Sequence, residues 1–199
     1  MIRWAIFIFT IWVSSAFAAI ETWPALYDVK NVAADDMLNV RSMPNASAEI
    51  IGTLPFDATN IEVVEVDDER LWGRVNIPEG SGWVSLRFME KHPRWAGSFP
   101  PITACYGAEP FWDLTHTPAR TELKHFGDIV EDVSETSEMT SQVRFDHFGM
   151  IIGNSRAFIT ENQCSDGMSD NLYGLTIDIF TQIDGNAALL SGCCTIQPQ

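Results

Sequence analysis

Two adjacent cysteines near the C-terminus, in "LSGCC", constrain the fold of this chain more than any other feature. Neighbouring Cα atoms lie about 3.8 Å apart across a trans peptide, short of the usual disulfide span of about 4.4 to 6.8 Å. Cys193 and Cys194 must therefore find partners elsewhere, and the remaining cysteines are Cys105 and Cys164. Four cysteines allow three connectivities, and setting aside the adjacent pair leaves Cys105 bridged to one C-terminal cysteine and Cys164 to the other, in either arrangement. If "GCC" lies in a strand, its two side chains point to opposite faces. One bridge then sits inside the barrel and one outside it, each worth about 3 to 5 kcal/mol in the chain-entropy model.

Bridges of this kind need an oxidising compartment, and the N-terminus supplies the route. "MIRWAIFIFTIWVSSAFAAIE" opens with Arg3, runs apolar from Trp4 to Val13 and turns small at Ser14, Ser15, Ala16 and Ala18. That is the pattern of a secretory signal with an A-x-A cleavage site over residues 1–18. Its apolar run falls short of the roughly 20 residues a membrane span needs, so no stable membrane insertion is expected after cleavage. Cleavage after Ala18 would remove Arg3 and no acid, moving the net charge from -15 to -16 and leaving 181 of the 199 residues. A surface of that sign repels nucleic acid and anionic lipid and favours a cationic partner if it favours any. The location expected is periplasmic or secreted.

The segment "HPRWAGSFPPI", residues 92–102, has three prolines and a glycine without hydrophobic periodicity, which marks a connector between two parts. Residues 27–91 alternate as short strands, "LNVR", "EIIGTLP", "NIEVVEV", "LWGRVNI" and "GWVSLRF", separated by turn clusters. Five strands in so short a stretch imply a small barrel, with Leu38, Val40, Ile51, Leu54, Ile61, Val63, Trp72, Val75, Trp83 and Val84 as its core candidates. Residues 103–197 also lack helical periodicity. Their strand candidates are "PFWDLTH", "TELKHFGDIV", "SQVRFDHFGMII", "SRAFITEN", "YGLTIDIFTQI" and "ALLSGCC", and the acidic "GDIVEDVSETSEM" reads as an exposed hairpin or loop. The fold class expected is all-β, an SH3-like small barrel followed by a second disulfide-linked barrel or compact sheet.

In the first part "LNVRSMPNASAEIIGTLP", then "WGRV", then "GWVS" resembles a bacterial SH3 (SH3b) domain. The resemblance implies a small β-barrel that binds cell-wall peptide or glycan and carries no catalysis. Tyr27, Asn39, Arg41, Trp72 and Trp83 are the groove candidates, aromatic surface beside a charged handle. The same residues admit a plainer reading, in which Asn39 and Arg41 pin the first turn and the tryptophans are core. In the second part "CYGAEPFWDL", "CSDGMSD" with "YGLTIDI", and "LSGCC" resemble a family of bacterial envelope proteins with a glycine-x-glutamate-proline-phenylalanine-tryptophan signature. That likeness implies a location and a style of fold, and no particular chemistry for Glu109, Trp112, Asp166 and Asp170.

Other chemistries leave weaker marks. A zinc site wants paired spacings such as C-x2-C or H-x3-H, and His92, His116, His125 and His147 are spread without them. Asp166 and Asp170 flank a glycine turn as in a calcium loop, but Met168 takes a ligand position and no closing glutamate follows. A disulfide-anchored turn is expected there, and no metal or cofactor. Glu109 and Asp113 on one strand face would stand about 13 Å apart at Cα, wide for a glycosidase pair. The function expected is a non-enzymatic envelope protein that binds peptidoglycan or another envelope protein. The competing readings are a wall hydrolase using carboxylates near Glu109 or Asp166, and an inhibitor of a cationic wall-degrading enzyme.

Overall fold

The computed structural model describes residues 23–78, 80–93, 95 and 99–197. The signal reading of residues 1–18 and part of the connector lie outside them. Sixteen strands build two antiparallel sheets, and the only helical element among the described residues is one 3-10 turn, Leu86–Phe88.

The first sheet contains β1 (Ala25–Val29), β2 (Met37–Arg41), β3 (Ile50–Pro55), β4 (Ile61–Val66), β5 (Trp72–Ile77), β6 (Gly80–Ser85) and β7 (Met89–Lys91), in the order β3-β2-β6-β5-β4-β1-β7. All five expected strands are present, as β2 to β6. Two more, β1 and β7, pair with each other and extend the sheet past β4. Alternation points Tyr27, Val40, Val63, Val75 and Val84 into one core. Ile51 is 40% exposed, and Trp72 and Trp83 are half-buried on the opposite face, so these three core assignments are corrected. Trp72 and Trp83 fall on the outward step of their strands' period, and Ile51 sits at the bulge between the Val40–Gly52 and Arg41–Ile50 pairs.

The second sheet has nine strands: β8 (Ala104–Ala108), β9 (Phe111–Thr117), β10 (Arg120–His125), β11 (Asp128–Val133), β12 (Ser137–Thr140), β13 (His147–Ile152), β14 (Ser155–Ser165), β15 (Leu172–Ile183) and β16 (Asn186–Thr195). Their order is β11-β10-β9-β8-β16-β15-β14-β13-β12. The expected strand "TELKHFGDIV" breaks in two because Phe126, at φ 50°, and Gly127, at φ 86°, form a tight turn. The acidic stretch supplies strands β11 and β12, and residues 141–146 are loop. The sheet curls so that β11 meets the β13–β14 turn through side chains. Glu131 on β11 accepts hydrogen bonds from the Asn154 amide and the Ser155 hydroxyl, both 2.9 Å.

Both disulfides form, Cys105–Cys194 with S–S 2.00 Å and Cys164–Cys193 with S–S 1.94 Å. Cys105 and Cys194 are directly opposed on β8 and β16 and belong to the inner core. Cys193 faces the other way and reaches across β15 to the end of β14.

The two sheets are joined along β1 and β4, which bury both faces. Ala25, Tyr27 and Val29 enter the first core, whereas Leu26, opposite Glu62 in the ladder, packs against the second. Glu62 is only 3% exposed; its Oε2 accepts the Thr195 hydroxyl of β16, and Oε1 has no hydrogen-bond partner among the described residues. Burial pushes its carboxyl up to about 7, against the lowering pull of Thr195 and the amides of Ile196 and Gln197. Gly174 allows the closest approach, because a Cβ there would lie 2.5 Å from Pro24.

A raised acid stabilises the fold while protonated and costs stability once ionised. Stability from this group is complete below the unfolded value of 4.5 and falls as pH rises through about 7. The loss should total about 3 kcal/mol. Glu62→Gln should flatten that slope, so thermal unfolding across pH 4 to 8 should show the two proteins converging in acid and the variant ahead at the alkaline end; parallel curves would exclude the assignment.

Candidate functional site

The outward face of the first sheet follows from the two-residue period of its strands. On β5 the outward positions are Trp72, Arg74 and Asn76, and on β6 they are Ser85, Trp83 and Ser81, each directly opposite its counterpart. Small buried residues, Gly73, Gly80 and Gly82, alternate with them, which lets the sheet bend over its core. A Cβ on Gly82 would lie 2.6 Å from Val40, so glycine is required at that close approach. Arg41 on β2 stands opposite Trp83.

One end of this face opens into a groove of about 550 Å³. Asn39, Arg41 and Trp72 line it together, joined by Arg87 and Phe88 from the 3-10 turn and by Asp36 ahead of β2. Arg87 lies over the Phe88 ring at 4.7 Å, so the groove couples aromatic surface to cationic groups. Arg41 also has a local task. Its Nη1 donates to the Ala48 carbonyl at 2.7 Å and holds the 42–49 loop that forms one rim. Both readings of Arg41, turn pin and groove residue, therefore describe the same side chain.

The other two candidates lie elsewhere. Tyr27 is buried at 6% exposure in the first core, on the inward step of β1, and does not line the groove. Trp83 is outward but beyond the groove, with the Arg74 guanidinium 5.7 Å above its ring. Arg87 and Phe88 escaped the sequence reading because they sit in a strand-like run, "GWVSLRF", that turns at Leu86.

In the second sheet two of the singled-out residues, Trp112 and Asp166, serve packing and turn geometry. Trp112 is buried over Gly107 and Gly192, where any side chain would overlap its indole, and its Nε1 donates to the Ser191 carbonyl at 3.2 Å. Glu109 is exposed in the β8–β9 turn, while Asp113 sits mid-ladder opposite Lys124. No hydrogen bond joins Glu109 to Asp113 among the described residues.

Asp166 spends its acceptors on its own turn: the amides of Met168 and Ser169, at 3.0 and 2.9 Å, and the Ser169 hydroxyl at 2.9 Å. Burial works to raise its carboxyl, but these donors outweigh burial and hold it below the usual range. Asp170 lies on the surface of the same turn, against Gly80 of the first sheet. The segment "CSDGMSDNLYG" is a turn anchored by the Cys164–Cys193 bridge and docked on the other sheet.

A second groove of about 550 Å³ lies beside the connector, between Phe99, Pro101 and His116. His116 bonds Thr121 through Nδ1 at 2.7 Å and faces Glu138 through Nε2 at 3.3 Å. Thr121 is 2% exposed and opposes His116 in the β9–β10 ladder, so the trio ties three strands together.

Removing the Arg41 guanidinium should loosen the rim selectively. In Arg41→Ala, amide exchange in residues 42–49 should accelerate at least about tenfold, the loss of one charge-assisted bond, with the β5–β6 ladder unchanged; unchanged loop exchange would remove Arg41 as the pin. No family model, curated protein or solved structure matches the chain.

Proposed function

We propose that this chain is an exported, non-enzymatic cell-envelope protein whose first sheet binds peptidoglycan through the groove at Asn39, Arg41 and Trp72. One observation supports this reading above the others. Three residues chosen for their chemistry, from two separate stretches, line a single open groove with Arg87 and Phe88. Such a combination of flat apolar surface and a few convergent polar groups suits a wall peptide or glycan. Two disulfides fit a chain that matures in an oxidising compartment. Among the described residues no helix is long and apolar enough to cross a membrane.

Co-sedimentation of the mature oxidised protein with purified sacculi tests the proposal. Saturable binding is expected, weakened at least about tenfold by Trp72→Ala, a truncation on the scale of one buried aromatic contact, with the thermal unfolding profile retained. Binding that ignores Trp72→Ala and Arg87→Ala alike would exclude the groove, and no sedimentation at all would exclude the wall as ligand.

A further inference from the structure

The groove occupies one end of the outward face, and that face does not stop there. Along β6, Ser85 lines the groove, Trp83 comes two residues earlier, and Ser81 lines a second, polar cleft of about 380 Å³. Along β5, Trp72 lines the groove and Arg74 the cleft. Because side chains two apart share a face, these residues form one outward track, about 13 Å from Ser85 to Ser81. The cleft's far wall comes from the other sheet, through Ser165, Ser169, Asp170 and Asn171.

This junction is built to hold its shape. The Asn76 side chain makes two bonds to the Leu172 backbone, donating to its carbonyl at 2.7 Å and accepting from its amide at 3.0 Å. With its amide turned to donate, Asn171 reaches the Gly80 carbonyl at 2.8 Å. Gln163 donates to Glu65 at 3.0 Å. Gly80, at φ 131°, admits Asp170 so closely that a Cβ would stand 3.1 Å away. The Cys164–Cys193 bridge then anchors the start of the docked turn to β16.

The lining defines a ligand class. Hydroxyls, a carboxylate, an amide and the Arg74 guanidinium surround the cleft, and that guanidinium also lies 5.7 Å over the Trp83 ring. Arg74 gives Nε to Ser81 at 3.1 Å and Nη1 to Glu65 at 3.4 Å, and among the described residues its Nη2 has no protein partner. Planar polar side chains of both signs next to a flat ring match a hydroxyl-rich saccharide, which donates and accepts at each ring and stacks its apolar face. Sites of this kind favour domain junctions.

We propose that the cleft between the sheets is a second saccharide subsite, so that one extended glycan runs from the Trp72 groove across Trp83 to Asp170. This rests on the reading of the groove as a wall-polymer site, and it makes the second sheet part of the binding surface.

Amide NMR of the full mature protein, titrated with N-acetylglucosamine oligomers from disaccharide to hexasaccharide, separates the two ideas. The disaccharide should shift groove signals alone, while the hexasaccharide should also shift Ser81 and residues 169–172 and bind about tenfold tighter, a gain equal to one modest contact set. Asp170→Ala and Arg74→Gln should each abolish the length advantage and leave disaccharide affinity unchanged. Length-independent affinity with shifts confined to the groove would overturn the second subsite and leave the groove standing. Shifts in the cleft that Trp72→Ala does not weaken would keep the cleft as a saccharide site and overturn the groove's part in it. Absence of shifts with every oligomer would overturn the cleft proposal, and sedimentation with sacculi then decides the groove separately.

Discussion

A strand cannot turn two consecutive side chains to the same side, and the arrangement of the second sheet depends on that rule at Cys193 and Cys194. Cys194 faces inward and closes β16 onto β8 within the core. Cys193 faces outward and ties β16 to the end of β14, two strands away. The last strand is thereby held on both of its faces. The outer bridge also fixes where the 166–171 turn begins, and that turn docks on β5 and β6 through Asn76 and Gly80.

A second constraint concerns strands covered on both faces at the sheet junction. β1 and β4 give one face to the first core and, at Leu26 and Glu62, the other to the second sheet, and Glu62 is the buried acid there. Its carboxyl is tolerable there because Thr195 donates to one oxygen and because burial keeps it protonated well above the usual carboxylate range. Neutralisation replaces the strong pairing that a buried charge would demand.

Much of this was legible in the sequence. Strands β2 to β6 follow from a period of two, and the pairing of Cys105 and Cys164 with the two C-terminal cysteines follows from the short Cα spacing of Cys193 and Cys194. The errors have specific causes. Tyr27 was grouped by its chemistry, but β1 faces its odd-numbered positions into the core. Strand β7 was hidden because it has three residues and pairs with β1 alone, and β1 lies ahead of the recognisable motifs, between β4 and β7. Trp112 stood out by its distinctive motif without an assigned role; its meaning is packing, since Gly107 and Gly192 clear the space its indole fills. The cleft could not be read from sequence, because its walls are about ninety residues apart and meet only when the sheets dock.

The bridges also decide what a single cut in the chain would do. Any break between Cys105 and Cys193 leaves both fragments covalently joined, because at least one disulfide spans it. A break between residues 92 and 104 has no such safeguard. There the first sheet would be retained by non-covalent contacts, among them Leu26 against the second core, the Thr195–Glu62 and Gln163–Glu65 bonds, the Pro24–Gly174 contact and the docked turn. The chain from Cys105 to Cys194 is thus a closed ring in which one cut releases nothing, and the first sheet with the segment that follows it lies outside that ring.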